Sequence, residues 1–130
     1  MRFVYLATPY SKFPTGPDGA ANAAAYQVAI LLKAGIKVFS PITHTHIVSV
    51  RANIDVSSAN TFWEEADAPF VELASAMVFC KLPSWEVSSG MARERAAFVA
   101  ANKPVFEMRP SIVPAPLLWW WAGVTPGKSP

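Results

Sequence analysis

A glutamate interrupts an apolar stripe in the second half of the chain. The stripe has the i, i+4, i+7, i+11 spacing of one helix face and consists of Val87, Met91, Glu94 and Phe98. A carboxylate at such a position is either paired with a cation at the edge of the core or held in a cleft for chemistry. The spacing alone favours the ion pair, for which the nearby cations are Arg93, Arg95 and Lys103.

The position of Glu94 along its predicted helix favours the second interpretation, a carboxylate held in a cleft for chemistry. The pair Ser88-Ser89 can cap a helix that runs to about residue 101. Glu94 then lies within two turns of the helix N-terminus, where the helix dipole favours an ionised carboxylate. The helix follows a predicted strand at 76–80, and open parallel sheets bind ligands at the carboxyl ends of their strands. The loop 8–11 opens at the same edge of the sheet.

Two histidines, His44 and His46, form an H-x-H pattern. On a strand both rings would lie on one face and could ligate a metal. The alternative is a loop after the second strand, in which the histidines hydrogen-bond a ligand or the backbone. A metal site needs three or more ligands and no third is evident nearby, so we predict no metal. We also expect no organic cofactor. With Lys12, either histidine could contact a phosphate.

The elements that must position these residues alternate between strand and helix. Breakers separate predicted strands at 3–7, 36–40, 76–80 and 105–107 from predicted helices at 20–34, 57–74 and 89–101. Strand, helix, strand is the crossover unit of a parallel sheet, so we expect one α/β domain. The tail beyond Pro110 carries proline and tryptophan and gives no clear element.

Composition excludes several classes of protein. The 130 residues are 52% hydrophobic with a net charge of +2, and the basic residues are scattered, so we expect no nucleic-acid partner. The longest apolar stretch, 117–124, is far shorter than the roughly 20 residues of a membrane span, so we expect no membrane partner. A single Cys80 and the absence of a signal-peptide pattern predict a cytoplasmic protein. Neither a Walker A loop nor a G-x-G-x-x-G fingerprint is present.

Five short motifs carry a resemblance to a known superfamily. They are Y-L-A-T-P-Y-S at 5–11, G-x-x-V-F-S-P at 35–41, Asp67, S-G-M-A-R-E at 89–94 and K-P-V at 103–105. Their order and spacing resemble the nucleoside 2-deoxyribosyltransferase superfamily, and above all its small uncharacterised bacterial and phage members. The resemblance covers about residues 3 to 107.

The resemblance implies a flavodoxin-like, Rossmann-like three-layer fold with a mostly parallel sheet of about five strands. Residues 1–110 would form this domain, and the Pro/Trp-rich tail 111–130 would pack on it or on a neighbouring subunit. The superfamily's nucleophilic glutamate falls on Glu94, which would attack the anomeric carbon of a deoxynucleoside or its 5′-monophosphate and form a covalent glycosyl-enzyme. Asp67 would assist proton transfer to the leaving base, and Tyr10 would orient Glu94 through a hydrogen bond.

The resemblance also implies a set of residues that bind the substrate. Sugar or phosphate oxygens would contact the loop after the first strand and the start of the later helix, and aromatic rings would stack on the base. The predicted substrate-binding residues are Thr8, Pro9, Ser11, His44, His46, Trp63, Trp85, Ser89 and Gly90. Phe13 and Phe62 are further stacking candidates, although each of the four aromatic residues could instead be core or interface.

Alternatives stay open at several of these positions. Asp67 could be a solvated charge beside Glu64 and Glu65, and Gly90 could serve packing alone. The whole chain could be a non-catalytic nucleotide-binding or sensing module, with Glu94 holding ribose hydroxyls, or a subunit of a larger assembly. Three consecutive tryptophans at 119–121 cannot all point into one small core, so we expect a homo-oligomer, a dimer or higher, whose tail completes a neighbour's pocket.

Overall fold

The computed structural model describes residues 1–54 and 60–124 of the chain. The strands are β1 (Val4–Ala7), β2 (Val38–Phe39), β3 (Ala76–Cys80) and β4 (Val105–Met108). The helices are α1 (Gly16–Lys33), α2 (Pro41–Ala52), α3 (Asn60–Leu73), α4 (Ser89–Ala100) and α5 (Ala115–Ala122), with a short 3₁₀ turn at Trp85–Val87. Within the described ranges, no helix is both long and apolar enough to cross a membrane.

The strands form one parallel sheet in the order β2-β1-β3-β4. The parallel α/β fold predicted from the alternation of elements is confirmed, and it is consistent with a flavodoxin-like architecture. The described sheet has four strands rather than the expected five, because the chain after β4 continues into α5. Strand order reverses between β1 and β3, which in such sheets is the place where ligands bind.

Each face of the sheet has its own hydrophobic core. Successive side chains of a strand point to opposite faces, so Leu6 packs with Leu31 of α1 and Leu117 of α5, while Tyr5 packs with Phe98 of α4. β1 and β3 are buried at every position, as expected for strands covered by helices on both sides. This alternation is what directs Tyr5 towards α4.

Two helices differ from the sequence prediction. α1 begins at Gly16, four residues earlier than expected, because Pro17 fits the first turn of a helix, where its missing N–H costs nothing. The segment after β2, predicted as a strand-like or loop segment, is helix α2. Ser40 caps it, with its Oγ accepting a hydrogen bond from the Thr43 amide at 3.3 Å, and Pro41 occupies the first turn. The first residues of the predicted helix 57–74 lie outside the described ranges, and its remainder forms α3.

The tail contains a helix that the sequence did not reveal. Leu117 of α5 is fully buried against the sheet, and the rings of Trp120 and Trp121 pack against the same core. The Arg2 guanidinium lies 4.9 Å and 4.3 Å from the centres of these two rings and donates a hydrogen bond to the Trp121 carbonyl. Only Trp119 of the three consecutive tryptophans is classed as exposed. The tail therefore packs on its own domain, as far as it is described.

Candidate active site

The Glu94 carboxylate accepts a hydrogen bond from the hydroxyl of Tyr5. Tyr5 is fully buried in β1, and its ring lies between Phe39 and Phe98, with ring centres 6.1 Å and 5.7 Å away. A buried tyrosine hydroxyl needs a partner, and the second turn of α4 supplies it. Burial, followed by the charge of Glu94, raises the pKa of Tyr5, so the phenol remains a donor. The bond holds the Glu94 carboxylate in a fixed orientation.

Glu94 forms no ion pair with any residue in the described ranges. The three cations expected to neutralise it have other partners instead. These contacts are Arg93 Nε with Glu64 Oε1 at 2.8 Å, Arg95 Nη2 with Glu107 Oε1 at 3.2 Å, and Lys103 Nζ with the Val71 carbonyl at 3.1 Å. The ion pair that the spacing of the apolar stripe favours for Glu94 is thus not found among the described residues. Val87, the first residue of that stripe, lies in the 3₁₀ turn and is exposed, so the buried face of α4 begins at Met91.

Asp67 of α3 is the second carboxylate of the site. It lies close enough to Glu94 for its charge to raise the pKa of that group. Burial raises the pKa of Glu94 to about 7, a shift that the hydrogen bond from Tyr5 opposes. Burial likewise raises the pKa of Asp67 to about 6, which the nearby His44 opposes. The two carboxyls therefore titrate as an interacting pair close to neutral pH.

The two histidines of the H-x-H pattern point in different directions. Residues two apart on a helix are separated by about 200° around its axis, so α2 cannot place both rings on one face. The ring of His44 lies 5.9 Å from that of Phe39, on the side of Asp67. His46 lies on the side of Tyr10. Among residues 1–54 and 60–124, no group of three His, Cys, Asp or Glu side chains could hold a metal ion.

Tyr10 forms no hydrogen bond with Glu94, so the prediction that Tyr10 donates the bond that orients Glu94 is wrong. The Tyr10 hydroxyl is instead 2.7 Å from His46 Nδ1, and His46 Nε2 is 2.8 Å from Asp18 Oδ1. Burial raises the pKa of Tyr10. These side chains line an open groove of about 470 Å³ between the start of α1 and α2. The geometry gives the orienting role to Tyr5, which lies at the opposite end of the same Y-L-A-T-P-Y motif.

Several predicted substrate-binding residues lie at the carboxyl end of β1 or beside it. Thr8 and Pro9 are buried there, and Ser11 is exposed. The Thr8 hydroxyl and the Trp63 indole N–H are buried without a hydrogen-bond partner in the described ranges. Unpaired buried polar groups are costly, so a ligand or a water that reached either group would supply a missing partner. Trp85 contacts Phe79 edge to face at 5.9 Å between ring centres, which makes it part of the core boundary.

The start of α4 is open around Gly90. Ser88 caps the helix, its Oγ accepting a hydrogen bond from the Met91 amide at 3.3 Å, and Ser89 is exposed. A Cβ added at Gly90 would meet only the Arg93 guanidinium, at an ordinary contact distance of 3.8 Å. Packing within the chain therefore does not require a glycine at position 90.

Sequence reasoning missed two members of these clusters. Tyr5 was hidden in a continuous apolar run, although it is the one residue of that strand with a polar group that would need a partner once buried. Asp18 lies in a segment predicted as loop, and no spacing rule connects it with a histidine 28 residues later.

Comparison with known proteins identifies the family of the chain. No curated protein matches it. Residues 2–110, which include the four described strands and helices α1 to α4, match the family described as Domain of unknown function (DUF1937). The chain belongs to the DUF1937 family.

Proposed function

We propose that this protein cleaves or exchanges the N-glycosidic bond of a deoxynucleoside or a deoxynucleoside 5′-monophosphate. The observation that carries the proposal is the Glu94 carboxyl, partly buried on the inner face of α4, oriented by Tyr5 and without an ion-pair partner in the described ranges. A carboxylate at a fixed orientation that is not engaged in an ion pair suits nucleophilic attack on an electron-poor carbon. The resemblance to nucleoside 2-deoxyribosyltransferases supplies the substrate class.

The chemistry divides the two carboxyls into nucleophile and acid. An oxygen of ionised Glu94 bonds to the anomeric carbon as the carbon–nitrogen bond breaks. The leaving base keeps the electron pair of that bond and takes a proton from Asp67. Water or a second base then attacks the glycosyl-enzyme, frees Glu94 and returns a proton to Asp67. The reactive form has Glu94 ionised and the proton on Asp67, and a singly protonated pair is present near neutral pH because the pKa values of both carboxyls are raised.

Groups around the pair offer contacts for the substrate. The unpaired Thr8 hydroxyl and Trp63 indole N–H are buried and would hydrogen-bond sugar or base once substrate binding opened access to them, and Gly90 leaves room for a ligand to approach the backbone at the start of α4. Trp63 or Trp85 would stack on the base, and the exposed Ser89 hydroxyl would meet sugar or phosphate oxygens.

Two further expectations belong to this proposal. The protein would work as a homo-oligomer, and it would act in the cytoplasm within nucleotide metabolism as a transferase or hydrolase. The buried thiol of Cys80, whose pKa burial raises to about 12, is inert and compatible with a reducing compartment.

A substrate panel tests the function. Wild-type protein incubated with deoxynucleosides and their 5′-monophosphates, with and without an acceptor base, should release or exchange base as seen by chromatography. Glu94→Gln keeps the shape and the acceptor for Tyr5 but removes the nucleophile, so turnover should fall by at least about a thousandfold. Glu65→Gln, at an exposed position of α3, is the matched control and should retain activity. Equal rates for wild type and Glu94→Gln would refute the mechanism.

A non-catalytic nucleotide-binding or sensing module is the second candidate. It is favoured by the raised pKa of Glu94, because a carboxyl that is half protonated near pH 7 can donate a hydrogen bond to a ribose hydroxyl as well as accept one. Calorimetric binding of a nucleoside that the protein leaves intact on the chromatogram would support the module. Release of free base would support the enzyme.

A further inference from the structure

The groove between the start of α1 and α2 contains three hydrogen-bonded groups that the glycosidic chemistry does not use. Asp18 Oδ1 is 2.8 Å from His46 Nε2, and His46 Nδ1 is 2.7 Å from the Tyr10 hydroxyl. A carboxylate can only accept, so a neutral imidazole in this arrangement carries its proton on Nε2. Nδ1 is then the acceptor, and Tyr10 donates to it. The order carboxylate, imidazole, hydroxyl is that of a proton relay.

Stability does not account for this arrangement. The Asp18 side chain is 89% exposed, and the His46 side chain is 13% exposed. An ion pair with so exposed a partner contributes at most about 1 kcal/mol. The imidazole is nonetheless held between the carboxylate and the phenol, with its ring edge-on to that of Tyr10 at 5.7 Å between centres.

We propose that Tyr10 is a general acid–base group for an uncharged small molecule bound in this groove, with His46 as the base that exchanges its proton. A ligand O–H or N–H gives its proton to the Tyr10 oxygen while the Tyr10 proton moves to His46 Nδ1. The Asp18 carboxylate stabilises the imidazolium that forms. The reverse movement returns both protons, so only these O–H and N–H bonds change.

The lining of the groove defines the class of ligand. Its volume of about 470 Å³ falls in the range of small-molecule sites. Ser49 and Asn53 offer polar groups, and Val50 and Ile54 offer an apolar wall. Among the described lining residues, Asp18 is the only acidic or basic one besides His46, so a phosphate or carboxylate would meet repulsion and no cation there. The ligand is therefore uncharged, with one polar and one apolar side.

An aryl sulfonyl fluoride tests the relay directly. With benzenesulfonyl fluoride, the Tyr10 oxygen attacks sulfur, the sulfur–fluorine bond breaks, fluoride leaves and the phenol proton passes to His46. Peptide mapping by mass spectrometry should show Tyr10 modified at least about tenfold faster than Tyr26, an exposed tyrosine that serves as internal reference. His46→Gln should reduce the rate at Tyr10 to that of Tyr26, and His44→Gln, on the other side of α2, should not.

Two further measurements test the role of Asp18 and the class of ligand separately. Asp18→Asn keeps a hydrogen-bond acceptor but removes the charge that stabilises the imidazolium, so modification of Tyr10 should slow several-fold. The anionic 4-carboxybenzenesulfonyl fluoride should modify Tyr10 more slowly than the neutral reagent. An unchanged far-UV circular dichroism spectrum shows that each variant is folded, and the rate at the exposed Tyr26 corrects for differences in reagent concentration. A Tyr10 rate no higher than that of Tyr26, or insensitive to His46→Gln, would overturn the relay, and a preference for the anionic reagent would overturn the ligand class.

Glu94→Gln should leave all of these rates unchanged, so failure here is distinct from failure of the glycosidic function.

Discussion

Identical side chains in this protein acquire different chemistry from their surroundings. Glu107 is exposed and accepts hydrogen bonds from Lys81 and Arg95. These bonds, above all the one from Lys81, lower the pKa of Glu107. Glu94 is partly buried, and its pKa is raised to about 7. Burial, which outweighs the opposing hydrogen bond from Tyr5 and the charge of Arg93, therefore singles out one glutamate for chemistry near neutral pH.

Tyr5→Phe should shift the pH dependence of the proposed activity. The Tyr5 hydrogen bond lowers the pKa of Glu94, so its removal raises that pKa further above 7. The reactive form has Glu94 ionised and Asp67 protonated, and a higher pKa of Glu94 draws the shared proton from Asp67 to Glu94. The maximum of kcat/KM should therefore fall, and its basic limb, where the pair loses its last proton, should move to higher pH by about one unit. Tyr26→Phe, at an exposed position, should leave the limb in place. A profile unmoved by Tyr5→Phe would contradict the orienting role of this hydroxyl.

Glu94→Gln should also change how stability depends on pH. The pKa of Glu94 rises from its ordinary 4.5 to about 7 on folding, so the stabilisation it brings is fully present below pH 4.5 and is lost as the pH rises through 7. The variant lacks this loss. Urea unfolding should show Glu94→Gln gaining up to about 3 kcal/mol on wild type between pH 4.5 and pH 8. A difference between the two proteins that is constant with pH would contradict the shift.

At the scale of elements, the predictable parts are those in which local pattern and tertiary context agree. β3 and α4 follow from a short apolar run and from a capped stretch ended by a breaker, and both are found as predicted. α2 was missed because it is rich in β-branched residues, which favour strands or loops. Its helix depends on the Ser40 cap and on packing against α1, and neither shows in periodicity.

The site was predictable only in part for a related reason. Glu94 is visible as a polar residue in an apolar stripe, which is a local signal. The identity of its donor depends on which face of β1 meets α4, and that follows from the strand order and not from spacing along the chain. The predicted donor is Tyr10, and only the three-dimensional structure shows that Tyr5 donates instead.

Leu117→Ala tests whether α5 is part of the domain. The Leu117 side chain is fully buried in the core beside Leu6 and Leu31, so its truncation should leave a cavity and cost about 2–5 kcal/mol in urea unfolding. Leu118→Ala, at a neighbouring position that is 39% exposed, should cost far less. Similar small effects of both substitutions would show that the helix is not needed for the core.

At the scale of the whole molecule, apolar side chains remain on the surface after both cores are formed. Ile47, Val48 and Val50 are exposed on α2, and Trp119 is exposed on α5. Light scattering at micromolar concentration should show a dimer or higher oligomer, with Trp119→Ser shifting it towards the monomer because it removes apolar area from the expected contact. A strictly monomeric wild-type protein would contradict the expected oligomer.

The contact of Arg2 with Trp120 and Trp121 has a practical consequence for handling the protein. It places the residues just before β1 and the last turn of α5 together, at the amino-terminal edge of the parallel sheet. Tyr10 and its groove lie beyond the opposite, carboxyl-terminal end of β1. A surface tether or fusion partner attached next to Arg2 would therefore hold the molecule with the groove turned away from the support. Immobilised protein oriented in this way would keep its ligand-facing edge accessible to solution.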